Sequence, residues 1–160
     1  MENEKDHLSL QFCGFKIGGD EFGIPVELVQ EVIKPLPVTT VPLSQNTIRG
    51  LINLRGQIVT CISLRNLFGL EEDLSANHMN IIVRGDEGLF AFVVDEVTDI
   101  VELDKNNLEL TPETLKQSLK SYVDYIYKKE DGLQILLNTK KIIKAKANAK
   151  EITQLSEKQS

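Results

Sequence analysis

Gly50-Leu51-Ile52-Asn53-Leu54-Arg55-Gly56-Gln57-Ile58-Val59 is the stretch on which the reading of the fold turns. Gly50 to Leu54 reads as an apolar strand, Arg55-Gly56 as a tight turn, and Gln57 to Ile62 as the returning partner. The turn carries an arginine, which keeps its charge and offers five donors in a rigid fork. At a hairpin tip Arg55 has three readings: it pairs with a partner's carboxylate, it pairs with Glu31 of the same chain, or it is a solubilising turn residue.

Outward from this hairpin the pattern stays β. On the N-terminal side Leu8, Leu10 and Phe12 alternate with polar residues, and Phe15 and Ile17 follow a break at Gly14. Gly18-Gly19-Asp20 is a turn, and Phe22 to Val26 returns, with Pro25 closing the strand. Leu28, Val29, Val32 and Ile33 fall at helical spacing and predict about two turns of helix, stopped by Pro35 and Pro37. Ser44 to Thr47 reads as a turn or helix start. On the C-terminal side Ser63 is placed to cap a short helix, Leu64 to Leu70, ended by Gly69. Glu71 to His78 is a polar loop. Hairpins follow over Met79–Arg84 with Leu89–Val94, and over Tyr122–Tyr127 with Leu133–Leu137, with strand-like runs Val97–Leu103 and Leu108–Leu110 between them. Asn138 or Thr139 would cap a final helix from Lys140 onward, fraying beyond about 150.

Gly-Asp-Glu, a strand, then Glu-Val occurs twice, at 19–32 and at 85–97. Such an echo is what two similar β halves produce. Many short strands at close spacing favour small β-barrels over a doubly wound sheet.

The 160 residues are enough to bury roughly 68–70% of the unfolded surface without a metal or disulfide. The net charge is −6, with −2 on residues 1–7, +4 on 139–160 and −8 on the body. An acidic body, with no Trp, three Tyr and six Phe, argues against nucleic acid as a partner. The acidic N-terminus lacks signal-peptide order, and the longest apolar run, Leu89 to Val94, is far short of a bilayer span, so no direct membrane insertion is expected. Cys13 and Cys61 lie in apolar runs and read as buried reduced thiols of a cytoplasmic protein.

A reaction centre is hard to assemble. His7 and His78 lie in a tail and a polar loop, and no metal, nucleophile-elbow or phosphate-loop motif is present. Glu71-Glu72-Asp73 reads as a solvated loop rather than a metal site. Asp95, Glu96 and Asp99 read either as solvent-facing charge at a barrel rim or as paired acid–base carboxylates, the first being the simpler. Lys140, Lys141, Lys144, Lys146 and Lys150 read as a solvated helix face, or as a contact for an acidic partner or anionic membrane. No catalytic residue, metal or cofactor is assigned.

Five blocks taken together resemble the CheW family: Gly23-Ile24-Pro25-Val26, Val29-Gln30-Glu31-Val32, Gly50 to Gly56, Ile62-Ser63-Leu64-Arg65 and Val93-Val94-Asp95-Glu96-Val97. The resemblance runs from about Leu8 to Ile143, in family order. It implies a mainly β chain of two small five-stranded SH3-like β-barrels packed together, with short helices and a C-terminal helix. The domain is expected over 8–143, with a flexible N-terminus at 1–7 and a lysine-rich tail at 144–160.

It also implies no enzymatic activity. The family acts as a chemotaxis adaptor linking the tips of methyl-accepting chemoreceptors to the regulatory domain of the histidine kinase CheA. Its receptor-binding positions fall here on Val29, Glu31, Gly50 and Arg55. Its kinase contacts fall near Val41 and Pro42, with a second contact expected over Glu109 to Thr114. In that last stretch this chain has Glu109 and Thr114 where some members have a basic residue and an aromatic. Two further readings stand beside the adaptor. One is the regulatory domain of a CheA-like kinase or the coupling half of a CheV-like protein, against which the start at Met1 and the polar tail are expected to speak. The other is an unrelated enzyme using Asp95, Glu96 and Asp99.

Overall fold

The computed structural model describes residues 11–42, 47–72 and 77–145. The expectations for residues 1–10, for Ser44 to Asn46, for 73–76 and for the lysines beyond 145 lie outside them. The described residues form strands β1 (Gln11–Ile17), β2 (Asp20–Pro25), β3 (Val29–Ile33), β4 (Ile48–Leu54), β5 (Gln57–Ser63), β6 (Met79–Gly85), β7 (Gly88–Val94), β8 (Glu96–Glu102), β9 (Leu108–Glu109), β10 (Val123–Lys129) and β11 (Gly132–Leu137). Three short helices accompany them, α1 (Leu64–Leu67), α2 (Gln117–Lys120) and α3 at 139–145.

The strands make two sheets, ordered β8-β1-β2-β11-β10-β9 and β3-β6-β7-β5-β4. The chain is mainly β with two packed β units, as expected. Neither ladder closes on itself, however, and one sheet has six strands rather than five. The added strand is β9, two residues long and paired only through Ile126↔Glu109 and Tyr127↔Leu108.

The sheets are built from exchanged pieces. The halves β1–β5 and β6–β11 each begin with a hairpin and then send the next strand to the other half's hairpin. β3 pairs with β6, and β8 pairs with β1. Each half then adds a second hairpin, whose return strand runs parallel to a first-hairpin strand: β5 along β7, and β11 along β2. The two Gly-Asp-Glu echoes fall at the first hairpins of the two halves but not in the same place: Asp20 and Glu21 already belong to β2, whereas Asp86 and Glu87 form the turn between β6 and β7.

Alternation along the central strands sorts the core into three clusters. Phe15, Ile17, Phe22, Ile24, Ile62, Phe90, Phe92 and Val94 fill the join between the sheets. Ile52, Leu54, Val59, Cys61, Ile82 and Ala91 form a second cluster on the five-stranded sheet, and Phe12, Leu108, Tyr125, Tyr127 and Leu136 a third on the six-stranded one. Leu89 to Val94 is a continuous apolar run because β7 is covered on both faces.

Helix signals fared unevenly. Ser63 caps α1, its Oγ accepting from the Asn66 N–H at 3.3 Å, and Asn138 Oδ1 accepts from the Lys141 N–H at 2.9 Å in α3. α1 stops at Leu67, short of the expected Leu70. The two-turn helix expected over Leu28 to Ile33 is instead a 3-10 turn, Val26–Leu28, followed by β3. Val29, Val32 and Ile33 are β-branched and have a ladder to join: Val29↔Val83, Val32↔Ile81 and Ile33↔Asn80. Burial alternates along β3, but Val32 is on the exposed side and Glu31 on the partly buried one, which is why the apolar residues imitate helical spacing.

Candidate functional site

The hairpin tip owes its shape to its own residues. Arg55 and Gly56 have φ of +51° and +88°, the pair of left-handed residues that a two-residue turn between twisted strands requires. Asn53 Oδ1 accepts from the Gly56 N–H at 2.8 Å and pins the turn. Within Asn53-Leu54-Arg55-Gly56, then, three residues build the turn while the arginine side chain projects from it, 65% exposed.

Arg55 meets Glu31, its Nη2 donating to the Glu31 Oε1. This realises the intrachain reading of the arginine. Glu31 lies on β3 and Arg55 at the end of β4, which are opposite edges of the five-stranded sheet. The ion pair therefore spans the gap that the backbone ladder leaves open. Glu31 is the less exposed partner, at 30%.

Gly50 acts differently. Its φ is +146°, and a Cβ there would stand 2.4 Å from the Thr39 carbonyl oxygen and 2.6 Å from Val38 Cγ1. Thr39 and Leu51 exchange both backbone hydrogen bonds at 2.8 Å, so the segment leaving β3 docks on the β4 edge. Gly50 makes that approach possible. It lies five residues from Arg55, roughly 17 Å along an extended strand. Val29 packs against the join cluster, because the bulge puts it opposite Val83 while Glu31 is opposite Ile82. Of the four expected positions the fold thus joins Glu31 and Arg55 directly, and places Gly50 and Val29 farther along the β3–β4 seam.

Val41 is partly buried and Pro42 exposed, just after the docked segment. Glu109 lies on the edge strand β9 and its carboxylate meets Lys128 Nζ at 2.8 Å, while the neighbouring Leu110 is 79% exposed. Asp95 overturns its expected place as solvent-facing rim charge, while Glu96 and Asp99 are exposed. Arg65 of α1 binds Asp95 through two bonds of 2.7 Å, and the Gly18 N–H adds a third at 2.8 Å. Asp95 stands where the chain crosses from β7 to β8, so these bonds tie the crossing to both sheets. Sequence reading missed this role: nothing local pairs residues 18, 65 and 95.

Burial raises both thiols, Cys13 and Cys61, the latter to about 11 despite the opposing charge of Arg49. Among the described residues no helix is long and apolar enough to cross a membrane, and no cluster of three His, Cys, Asp or Glu side chains is arranged to hold a metal ion.

The family model for the CheW-like domain matches residues 11–147. The chain is 33% identical over 144 residues to the chemotaxis protein CheW of Helicobacter pylori, covering 89% of this chain and 87% of the relative. It is 30% identical over 133 residues to the chemotaxis protein CheW of Thermotoga maritima, covering 83% and 87%. The crystal structure of the scaffolding protein TtCheW from Thermoanaerobacter tengcongensis superposes with a TM-score of 0.74 at 26% identity, covering 83% of this chain and 91% of that one.

Proposed function

The chain belongs to the CheW family and is a chemotaxis coupling adaptor; from that premise we propose that it joins chemoreceptor tips to CheA through the β3–β4 seam. The observation that carries the proposal is the Glu31–Arg55 pair across the seam; the family resemblance implies receptor binding at both positions. An amphipathic receptor helix would lay its apolar stripe along the seam, and the exposed guanidinium would fix its register. The CheA regulatory domain would dock on apolar surface near Val41 and Pro42, with a second contact at the β9 edge around Leu110. Interface cores shed charge, and both places offer apolar side chains. No step of this role needs a reaction centre or cofactor, and we place the protein in the cytoplasm, where receptor tips and kinase meet.

A pull-down with a receptor-tip fragment and the CheA regulatory domain, each alone and then together, tests the reading. Capture of each alone, and of both in one complex, is expected. Capture of neither by the folded protein contradicts it.

A further inference from the structure

Beneath the segment that runs from β3 to β4 lies a cavity of about 150 Å³, a volume that accepts a molecule the size of benzene. Leu36, Val38 and Val93 form its apolar lining, and Arg49, His78 and Asn80 its polar one. Asn80 is 3% exposed, and among the described residues its Oδ1 has no hydrogen-bond partner. A buried carboxamide oxygen left this way is costly. Arg49 supplies the complementary group. Its side chain is 18% exposed; Nη1 is hydrogen-bonded to His78 Nε2 at 3.4 Å, and Nε forms a long ion pair of 3.9 Å with the Glu72 carboxylate, leaving further guanidinium donors for a ligand.

The fold does not require an amide at this place. Asn80 pairs with Val93 five residues before the end of its hairpin ladder, and Phe12 pairs with Pro25 five residues before the end of the equivalent ladder. Phe12 there is buried in the apolar cluster of its own sheet. The same ladder position is thus filled by an aromatic in one half and by an unsatisfied amide in the other.

We propose that this cavity binds a small primary carboxamide. Its N–H donates to Asn80 Oδ1, its carbonyl accepts from Arg49, and its short carbon chain lies against Leu36, Val38 and Val93. A carboxylate of the same size would satisfy Arg49 but offer no donor to Asn80, and a tertiary amide would likewise lack the N–H.

Titration of the full chain with propionamide, followed by two-dimensional amide NMR, tests the proposal without reference to receptors or kinase. Saturable shifts centred on Leu36, Val38 and Asn80, with millimolar affinity, are expected. N,N-dimethylpropionamide and propionate should bind at least about tenfold more weakly, since each leaves the buried acceptor unmet. Asn80→Leu, which keeps the branched heavy-atom skeleton and removes the acceptor, should abolish the propionamide response. Absence of saturable shifts with propionamide, shifts centred elsewhere, or equal binding of the dimethyl analogue overturns the proposal. The comparison of the three compounds on the parent chain decides the matter even if Asn80→Leu does not fold.

Discussion

At the scale of single residues, the two most informative positions do opposite work. Gly50 is structural: a methyl group there meets a backbone oxygen that cannot retreat without breaking the Thr39–Leu51 pair. Gly50→Ala should therefore cost more than about 2 kcal/mol, through both clash and left-handed φ, and lower the melting temperature by about 4 °C or more. Thermal denaturation followed by circular dichroism checks this. Arg55, by contrast, contributes little to folding, because an exposed ion pair is worth about 0–1 kcal/mol. Cys61 is fully buried in the core cluster of the five-stranded sheet and gives a pH signature. Its thiol is raised in the folded state, so it favours folding fully below the unfolded value near 9.0 and loses that contribution as pH climbs towards about 11. The parent should lose stability across that window more steeply than Cys61→Ala, as read by urea midpoints at pH 8, 9.5 and 11. Parallel curves would show that the thiol titrates alike in both states, contradicting the raised folded value.

At the scale of elements, the crossing from β7 to β8 is held by Arg65, Asp95 and the Gly18 N–H. Removing the arginine strands a partly buried carboxylate. With both side chains about a quarter exposed, Arg65→Leu is expected to cost about 2 kcal/mol. That corresponds to a fall of about 4–8 °C in melting temperature, and an unchanged value would show that water replaces the guanidinium at no cost. What the sequence revealed at this scale follows from the range of the forces involved. Hairpins closed by short turns, such as 54–57 and 85–88, are set by local residues and were legible to within a residue or two. The helix expected at 28–33 was not, because β3 is decided by β6, some fifty residues away in the chain. Glu31 and Arg55 were legible as partners from charge and family position. The role of Asp95 was hidden, since its partners, Arg65 and the Gly18 N–H, come from two elements distant in the chain.

At the scale of the whole molecule, the exchange of β3 and β8 makes each sheet a product of both halves of the chain. The echo of Gly-Asp-Glu hinted at two halves, but pairing across them is a tertiary fact with no local signal. The consequence for coupling is direct. The Glu31 edge and the Arg55 tip belong to one half of the chain and are held in register by β6 and β7 from the other. The candidate receptor seam, the Val41–Pro42 surface and the β9 edge are thereby parts of one framework, as an adaptor engaging two partners needs.

Arg55, at this seam, is the group proposed to recognise the receptor. Binding of Arg55→Glu to a receptor-tip fragment and to the CheA regulatory domain, measured side by side with the parent, addresses it most directly. Loss of a charge that meets a buried partner costs about 2–5 kcal/mol of binding. The variant is expected to melt within a few degrees of the parent, to bind the kinase domain as the parent does, and to lose at least about thirtyfold in affinity for the receptor tip. Receptor binding by Arg55→Glu equal to that of the parent would contradict the account.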